Sequence, residues 1–410
     1  MEEIGERPAK LTSFRNIWNR LLPHIVRTKP MSDLCWECQK NNAAVYRSAN
    51  LPDIVKCAKL KKQMDHLQLV AEERTLYRDM VTECKTSVVG LKLGHNPPCS
   101  RDIKGHYSFD FAQQVHIPSN PLQPGPIYFL VPRKCGIFGV SCEGIPQQVN
   151  YLIDEGMCSS KGSNAVISYL HHFFENYGRR KDVHLHCDNC SGQNKKKFVV
   201  WYFAWRVMNH LHLNLSLNFM IVGHTKFGPD WCFGLLKQNF RRTEVCSLEE
   251  MAACVKKSST SGVNMSQLVG DESGKVLVPM YDWQKFLTPF FKPLPGIKKL
   301  QHMRFDSKQP GLILVKDSSD CEETAVQVLK DVRIRPPAAL PVTVAPPGLD
   351  KKRQWYLFAK IREFCTESTQ DIVCPRPAGQ VSESSEDEEE IRPPPAKKSH
   401  RNKRVLKEKN

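Results

Sequence analysis

Several things are missing from this 410-residue chain. No apolar run approaches the roughly 18 residues that a membrane-spanning helix needs, so no transmembrane segment is expected. No G-x-G-x-x-G or Walker sequence follows a strand-like segment, which argues against a dinucleotide or P-loop nucleotide cofactor. The opening Met1-Glu2-Glu3 lacks the charged-then-apolar build of a secretory signal. No internal repeat with a period of about 20–50 residues is visible. Disulfides are therefore not expected, although the chain holds 16 cysteines. Reduced thiols or metal ligands are the expected forms.

What is abundant is positive charge. Lys and Arg number 59 against 43 Asp and Glu, a formal net charge of +16. An excess of this size points to a polyanionic partner, because Lys and Arg gain free energy by releasing counterions from phosphates. The alternative is a basic tail on an otherwise neutral enzyme. Hydrophobic residues make up 40% and charged residues 25%, values that suit a globular protein with polar sequence attached.

Residues 1–30 read as a basic helical lead-in, with Phe14, Ile17, Trp18, Leu21 and Leu22 at helical spacing. Residues 31–85 hold Cys35-Trp36-Glu37-Cys38 and then a charged helical arm over 52–84, on which Leu60, Met64, Leu67, Val70 and Leu76 recur near a 3.6-residue period. Residues 100–245 alternate strand and helix. Strands are expected at 107–111, 127–131 and 137–140, a helix from Ser163 as N-cap to a stop at Gly178, a strand at 183–188, a helix over 197–211, a strand at 215–222, and a helix from Pro229. The order β-β-β-α-β-α-β-α implies an α/β layered domain with a mixed sheet whose first three strands form a meander. Residues 246–335 read as an α+β extension, 336–374 as a Pro-rich linker with one short helix, and 375–410 as a disordered tail, acidic and then basic.

Three acids in the α/β region stand out. Asp110 lies between Phe109 and Phe111 in the first strand, and alternation puts both aromatics on the opposite face. An acid in such a setting is costly to bury without a cation or base beside it. Asp188 ends the fourth strand, on the face shared by His184 and His186, and the turn Asn189-Cys190-Ser191-Gly192-Gln193-Asn194 leads into a helix opened by Lys195, Lys196 and Lys197. Three lysines oppose the dipole at a helix N-terminus, so phosphate or acids are expected close by. Asp230 opens the helix after the fifth strand, behind the loop Gly223-His224-Thr225-Lys226-Phe227-Gly228. Phosphodiester chemistry requires charge stabilisation on both attacking and leaving oxygens, which two Mg²⁺ ions about 3.5–4 Å apart on carboxylates provide. Taken singly, Asp188 could be a turn residue and Asp230 a helix-capping acid.

At these residues the chain resembles a known group. The stretches Tyr107-Ser108-Phe109-Asp110-Phe111-Ala112-Gln113, His186-Cys187-Asp188-Asn189-Cys190-Ser191-Gly192-Gln193-Asn194-Lys195 and Val222-Gly223-His224-Thr225-Lys226-Phe227-Gly228-Pro229-Asp230-Trp231 are similar to an uncharacterised domain of transposon-derived animal proteins. That domain is itself similar to DDE-type transposases and integrases of the RNase H-like superfamily. The resemblance spans roughly residues 10–370 and is clearest over 105–245. It implies an RNase H-like fold with Asp110, Asp188 and Asp230 as the catalytic acids, holding Mg²⁺ or Mn²⁺. The third acid is Asp where Glu is commoner. Substrate contacts are expected from His186, Gln193, Asn194, Lys195, His224 and Lys226.

Cys35-x-x-Cys38 has the spacing of half a tetrahedral zinc site, with Cys57, His66, Cys84, His95 and Cys99 as candidates for the other half. Cys187 is expected in the core. Lys397-Lys398 and the cluster from Arg401 to Lys409 read as a nuclear localisation or nucleic-acid patch, or as a solubilising tail. Ser382, Ser384 and Ser385 lie among acids, where phosphorylation would add negative charge beside that patch. The expected protein is therefore nuclear and DNA-binding, with metal-dependent phosphodiester cleavage or strand transfer as its chemistry. Two rivals are a catalytically inactive DNA- or chromatin-binding protein, and a scaffold that oligomerises with itself through the 52–84 arm.

Overall fold

A computed structural model describes residues 11–22, 34–94, 101–123, 125–158, 161–178, 180–190 and 192–378. The phosphorylatable serines and basic cluster of the tail, and His95 and Cys99, lie outside the described residues.

The chain opens with α1 (Leu11–Leu21), α2 (Trp36–Tyr46) and α3 (Asp53–Ser87). The core follows as β1 (Arg101–Ile117), β2 (Arg133–Cys142), β3 (Gln147–Asp154), α4 (Ser163–Asn176), β4 (Arg180–Cys187), α5 (Lys197–Met208), β5 (Asn214–Phe219) and α6 (Gly228–Phe240). Then come α7 (Leu248–Lys256), β6 (Asn264–Leu268), β7 (Met280–Tyr281), α8 (Trp283–Leu287), β8 (His302–Asp306), β9 (Leu312–Lys316), β10 (Thr324–Gln327), β11 (Thr343–Val344) and α9 (Lys351–Tyr356).

The mixed α/β character is as expected, and β-β-β-α-β-α-β-α runs from β1 to α6. The identity of the strands is not. Residues 127–131 form no strand: Pro126–Phe129 is a 3₁₀ turn, with Tyr128 and Phe129 exposed. Proline brings no backbone donor to a ladder and fixes its own φ, so this apolar run cannot join the sheet at its start. The third strand is instead β3, obscured in the sequence by the amides that punctuate its apolar residues. Gln148 and Asn150 are fully buried, and the Asn150 amide donates to Asn264 Oδ1 at 3.1 Å, tying β3 to β6. The helix expected to be capped by Ser163 is capped by Gly162, and Ser163 is its buried first residue.

One nine-stranded sheet runs β10-β9-β8-β5-β4-β1-β2-β3-β6. β2 pairs antiparallel with β1 and β3, whereas β1, β4 and β5 are mutually parallel neighbours. Residues 246–335, expected as an extension, add β6 to one edge of the sheet and β8, β9 and β10 to the other. The linker expectation for 336–374 is also revised. Arg353 pairs with Glu155 at 2.8 Å and donates to the carbonyls of Val131 and Pro132, and Leu357, Ile361 and Cys374 are buried. Proline-rich composition marks irregular backbone there, but the apolar residues beyond it bury themselves.

Alternation along β1 sets the two faces. Tyr107 and Phe109 point into the main core with α4 and α5, where Trp201, Trp205 and Trp283 are fully buried. Each large side chain so buried contributes roughly 1.5–3 kcal/mol. His106 and Ser108 face the other way, under α3, and Ala112 packs on the same side beside Phe233 of α6. The arm therefore folds back on its own core. Glu73, Tyr77 and Cys84 of α3 are buried there, while Ile54, Leu60, Met64 and Leu67 on its first half stay exposed. No helix among the described residues is long and apolar enough to cross a membrane.

Candidate functional site

The parallel pairing of β1 and β4 aligns Phe109 with Cys187, so the register carries Asp110, midway along β1, alongside Asp188, the first residue beyond β4. Asp230, in the first turn of α6, stands near enough to repel Asp110. The two strand acids meet because two neighbouring parallel strands run in register. The third joins because α6 packs across β1 and β2.

Burial pushes the Asp110 carboxyl up to about 7, and the charges of Asp188 and Asp230 add to the shift. The Phe111 N–H, which donates to Asp110 Oδ1 at 2.7 Å, and the ammonium of Lys161 pull the other way. In the sequence Lys161 is one lysine in a loop before α4, with nothing to mark it. Asp188 accepts from the Cys190 N–H at 3.2 Å and from Asn194 Nδ2 at 2.6 Å, which orients its carboxylate. Asp230 Oδ2 accepts from the Phe227 N–H at 3.1 Å, capping the first turn of α6. One oxygen of Asp230 therefore caps the helix, as a helix-opening acid does.

The expected substrate residues divide. Asn194 is buried beside Asp188 and Lys195 is buried in the same turn, and Asn194 Oδ1 and Lys195 Nζ find no hydrogen-bond partner among the described residues. Lys195 Nζ lies 4.8 Å from the Phe219 ring centroid, and burial lowers its pKa to about 8. Gln193 lies in the turn after β4, and Lys226 is exposed. His186 is placed differently. It is buried under α3, with its Nδ1 2.7 Å from His106 Nε2 and its ring against Tyr77, and burial holds it well below the usual imidazole range. A neutral ring sealed from solvent does not reach a phosphate. Alternation assigns His186 to the correct face, but local pattern does not reveal that α3 covers that face.

His224 is also placed elsewhere. Its Nε2 lies 3.4 Å from Cys38 Sγ, and Cys35 Sγ lies 3.4 Å from His66 Nε2. Of the described candidates for the second half of the cysteine knuckle, only His66 joins it. Cys57 is exposed, and Cys84 is buried against β1. A further buried acid, Glu143 just after β2, escapes sequence reasoning. It accepts from the Gly228 N–H at 3.3 Å, and burial raises its pKa. Its one clue is the position of an acid directly after an apolar strand.

Residues 133–321 match a family model described as a domain of unknown function (DUF7869). The matched span includes Asp188, His224 and Asp230, and leaves Asp110, Cys35, Cys38 and His66 outside it. No curated protein and no solved structure matches the chain.

Proposed function

We propose that this is a transposon-derived nuclear protein with an RNase H-like, DDE-type core, which binds DNA and cleaves or joins phosphodiester bonds with Mg²⁺ or Mn²⁺. The observation that carries the reading is the alignment of Asp110, within β1, with Asp188, just beyond the end of the neighbouring parallel strand β4, and the approach of Asp230 of α6 to Asp110. Carboxylates held this close repel one another, and a divalent cation would relieve that repulsion. The donor set is all oxygen, as a hard cation requires.

Asp110 and Asp188 would hold the metal, with Asp230 completing the set. Bound metal supplies charge stabilisation to the attacking and leaving oxygens. The chain's own residues orient the parts. Asn194 and the Cys190 N–H fix the Asp188 carboxylate, and the Phe227 N–H holds one oxygen of Asp230. Lys161 brings positive charge close to Asp110, where a phosphate would lie. The net charge of +16 supports a polyanionic substrate.

The test is nicking of supercoiled plasmid by the full chain in Mg²⁺ or Mn²⁺. Turnover that disappears in Asp110→Asn and Asp188→Asn, with DNA binding retained, is the expected result. DNA binding without turnover, indifferent to both substitutions, would instead assign an inactive chromatin-type role.

A further inference from the structure

We propose that Cys35, Cys38, His66 and His224 bind one zinc ion that staples the helical arm to the loop between β5 and α6. The four candidate ligand atoms lie within 4.8 Å of one another. Tetrahedral zinc with Zn–S near 2.3 Å and Zn–N near 2.0–2.1 Å requires sulfur-to-nitrogen separations of about 3.6 Å. The two such distances, Cys35 Sγ to His66 Nε2 and Cys38 Sγ to His224 Nε2, are both 3.4 Å. Both histidines present Nε2. The Cys38 N–H points at Cys35 Sγ at 3.5 Å, as the turn of a metal knuckle does when its backbone supports a thiolate. Two thiolates and two neutral imidazoles make a closed, charge-balanced set, which is the composition of a structural site and leaves no open position for substrate.

A separate observation shows that the loop is built to meet Cys35. Gly223 has φ +77, and a Cβ placed there would lie 2.4 Å from Cys35 Cα and 2.7 Å from its Cβ. Only glycine allows the two backbones to come this close. Around the cluster, Arg74 of α3 donates to the carbonyls of His224, at 2.6 Å, and of Lys226. The Tyr77 hydroxyl accepts from the Gly228 N–H at 3.4 Å. The loop is thus clamped to α3 along its length, and Asp230 begins the helix at its far end. The zinc site is a positioning device for that end of the loop. It stands whether or not the carboxylates are catalytic.

The full chain, purified without chelator or added metal, should contain one equivalent of zinc by elemental analysis. Cobalt substitution should give the d–d absorption of a tetrahedral site together with thiolate-to-cobalt charge transfer. Cys35→Ser with Cys38→Ser should abolish both. Because that variant could fail to fold, His224 supplies the independent check. His224→Ala should weaken zinc binding by more than the roughly 10–100-fold expected from losing a merely supporting group. His224→Cys should retain zinc and intensify the thiolate charge transfer. Hydrogen exchange should quicken together at residues 34–66 and 220–228 when zinc is stripped. A folded chain free of zinc, with no thiolate–cobalt spectrum on reconstitution, would overturn the site. So would a His224→Ala protein that binds zinc as tightly as the parent, together with a His224→Cys protein whose thiolate–cobalt charge transfer is unchanged.

Discussion

The carboxylate edge and the cysteine–histidine cluster stand at the two ends of one loop, and they are assembled in opposite ways. Asp110 and Asp188 are brought together by strands that pair directly, inside the sheet. Cys38 and His224 are 186 positions apart and meet only because α3 lies across the sheet and the loop reaches up to it. The first set is oxygen-only, and burial and mutual repulsion strain it. The second is two sulfurs and two nitrogens in a compact group. Hard donors left in tension suit a cation that keeps water and substrate, whereas soft donors in a closed set suit an ion that holds structure. On the proposed reading the labour would be divided, with the acids holding a metal for chemistry and the cysteines and histidines holding one that fixes the loop before Asp230.

The comparison can be broken most forcefully at the join. Gly223→Ala places a methyl group against the Cys35 backbone at a left-handed φ, so the arm must lift or the loop must move. We expect a loss of about 3 kcal/mol, from steric overlap and backbone strain together, read as a lowered denaturant midpoint and reduced zinc occupancy. An unchanged midpoint with full zinc would show that arm and loop are not coupled.

The strain on the carboxylate edge has a sign that can be checked. In the unfolded chain the Asp110 carboxyl ionises near its ordinary value of about 4, and in the metal-free fold near 7. Below pH 4 it is protonated in both states and contributes nothing. As pH rises from 4 to 7 the folded state falls behind, and the whole cost is present above pH 7. Asp110→Asn should therefore stabilise metal-free protein at pH 8 by about 2 kcal/mol, a figure reduced from the full linkage value because the side chain keeps some solvent contact. At pH 4 the substitution should change little. Urea unfolding at the two pH values makes the measurement, and equal effects at both would remove the repulsion from the account. The smallest effect is expected at Asp230. Asp230→Asn should cost about 1 kcal/mol or less through a weakened cap, and should leave zinc content untouched, separating the two ends of the loop.

Much of the carboxylate edge is legible in the sequence. Asp110 between two phenylalanines, and Asp188 at the end of an alternating strand, carry their positions in local pattern. The knuckle Cys35-x-x-Cys38 is equally local. His224 reads as a substrate contact because nothing near it in the chain is a cysteine and its loop looks suited to clamping a ligand. His186 reads the same way because a polar strand face looks open until a helix covers it. The polar seam under α3 accounts for that covering: Glu73 pairs with His302 at 2.9 Å, and His184 Nδ1 lies 2.6 Å from Ser216 Oγ. Such a seam satisfies histidines that would otherwise face solvent or substrate. β3 is hidden for a related reason. Gln148 and Asn150 break its apolar run, yet the Gln148 amide donates to Asn150 Oδ1 and the Asn150 amide to Asn264 Oδ1, a bond across 114 positions.

Features that depend on neighbours along the chain are readable from the residues alone: periodicity, alternation, a proline that stops a ladder, a knuckle of two cysteines, and the faces on which Asp110 and Asp188 fall. Which of those faces are covered, and which distant side chains share a centre, is fixed by folding in three dimensions. The reason is physical. Backbone conformation is set by sterics and hydrogen bonds within a few residues, whereas a site built across α3 and the β5–α6 loop exists only after burial of Tyr77, Met220 and Phe227 has pressed the two together.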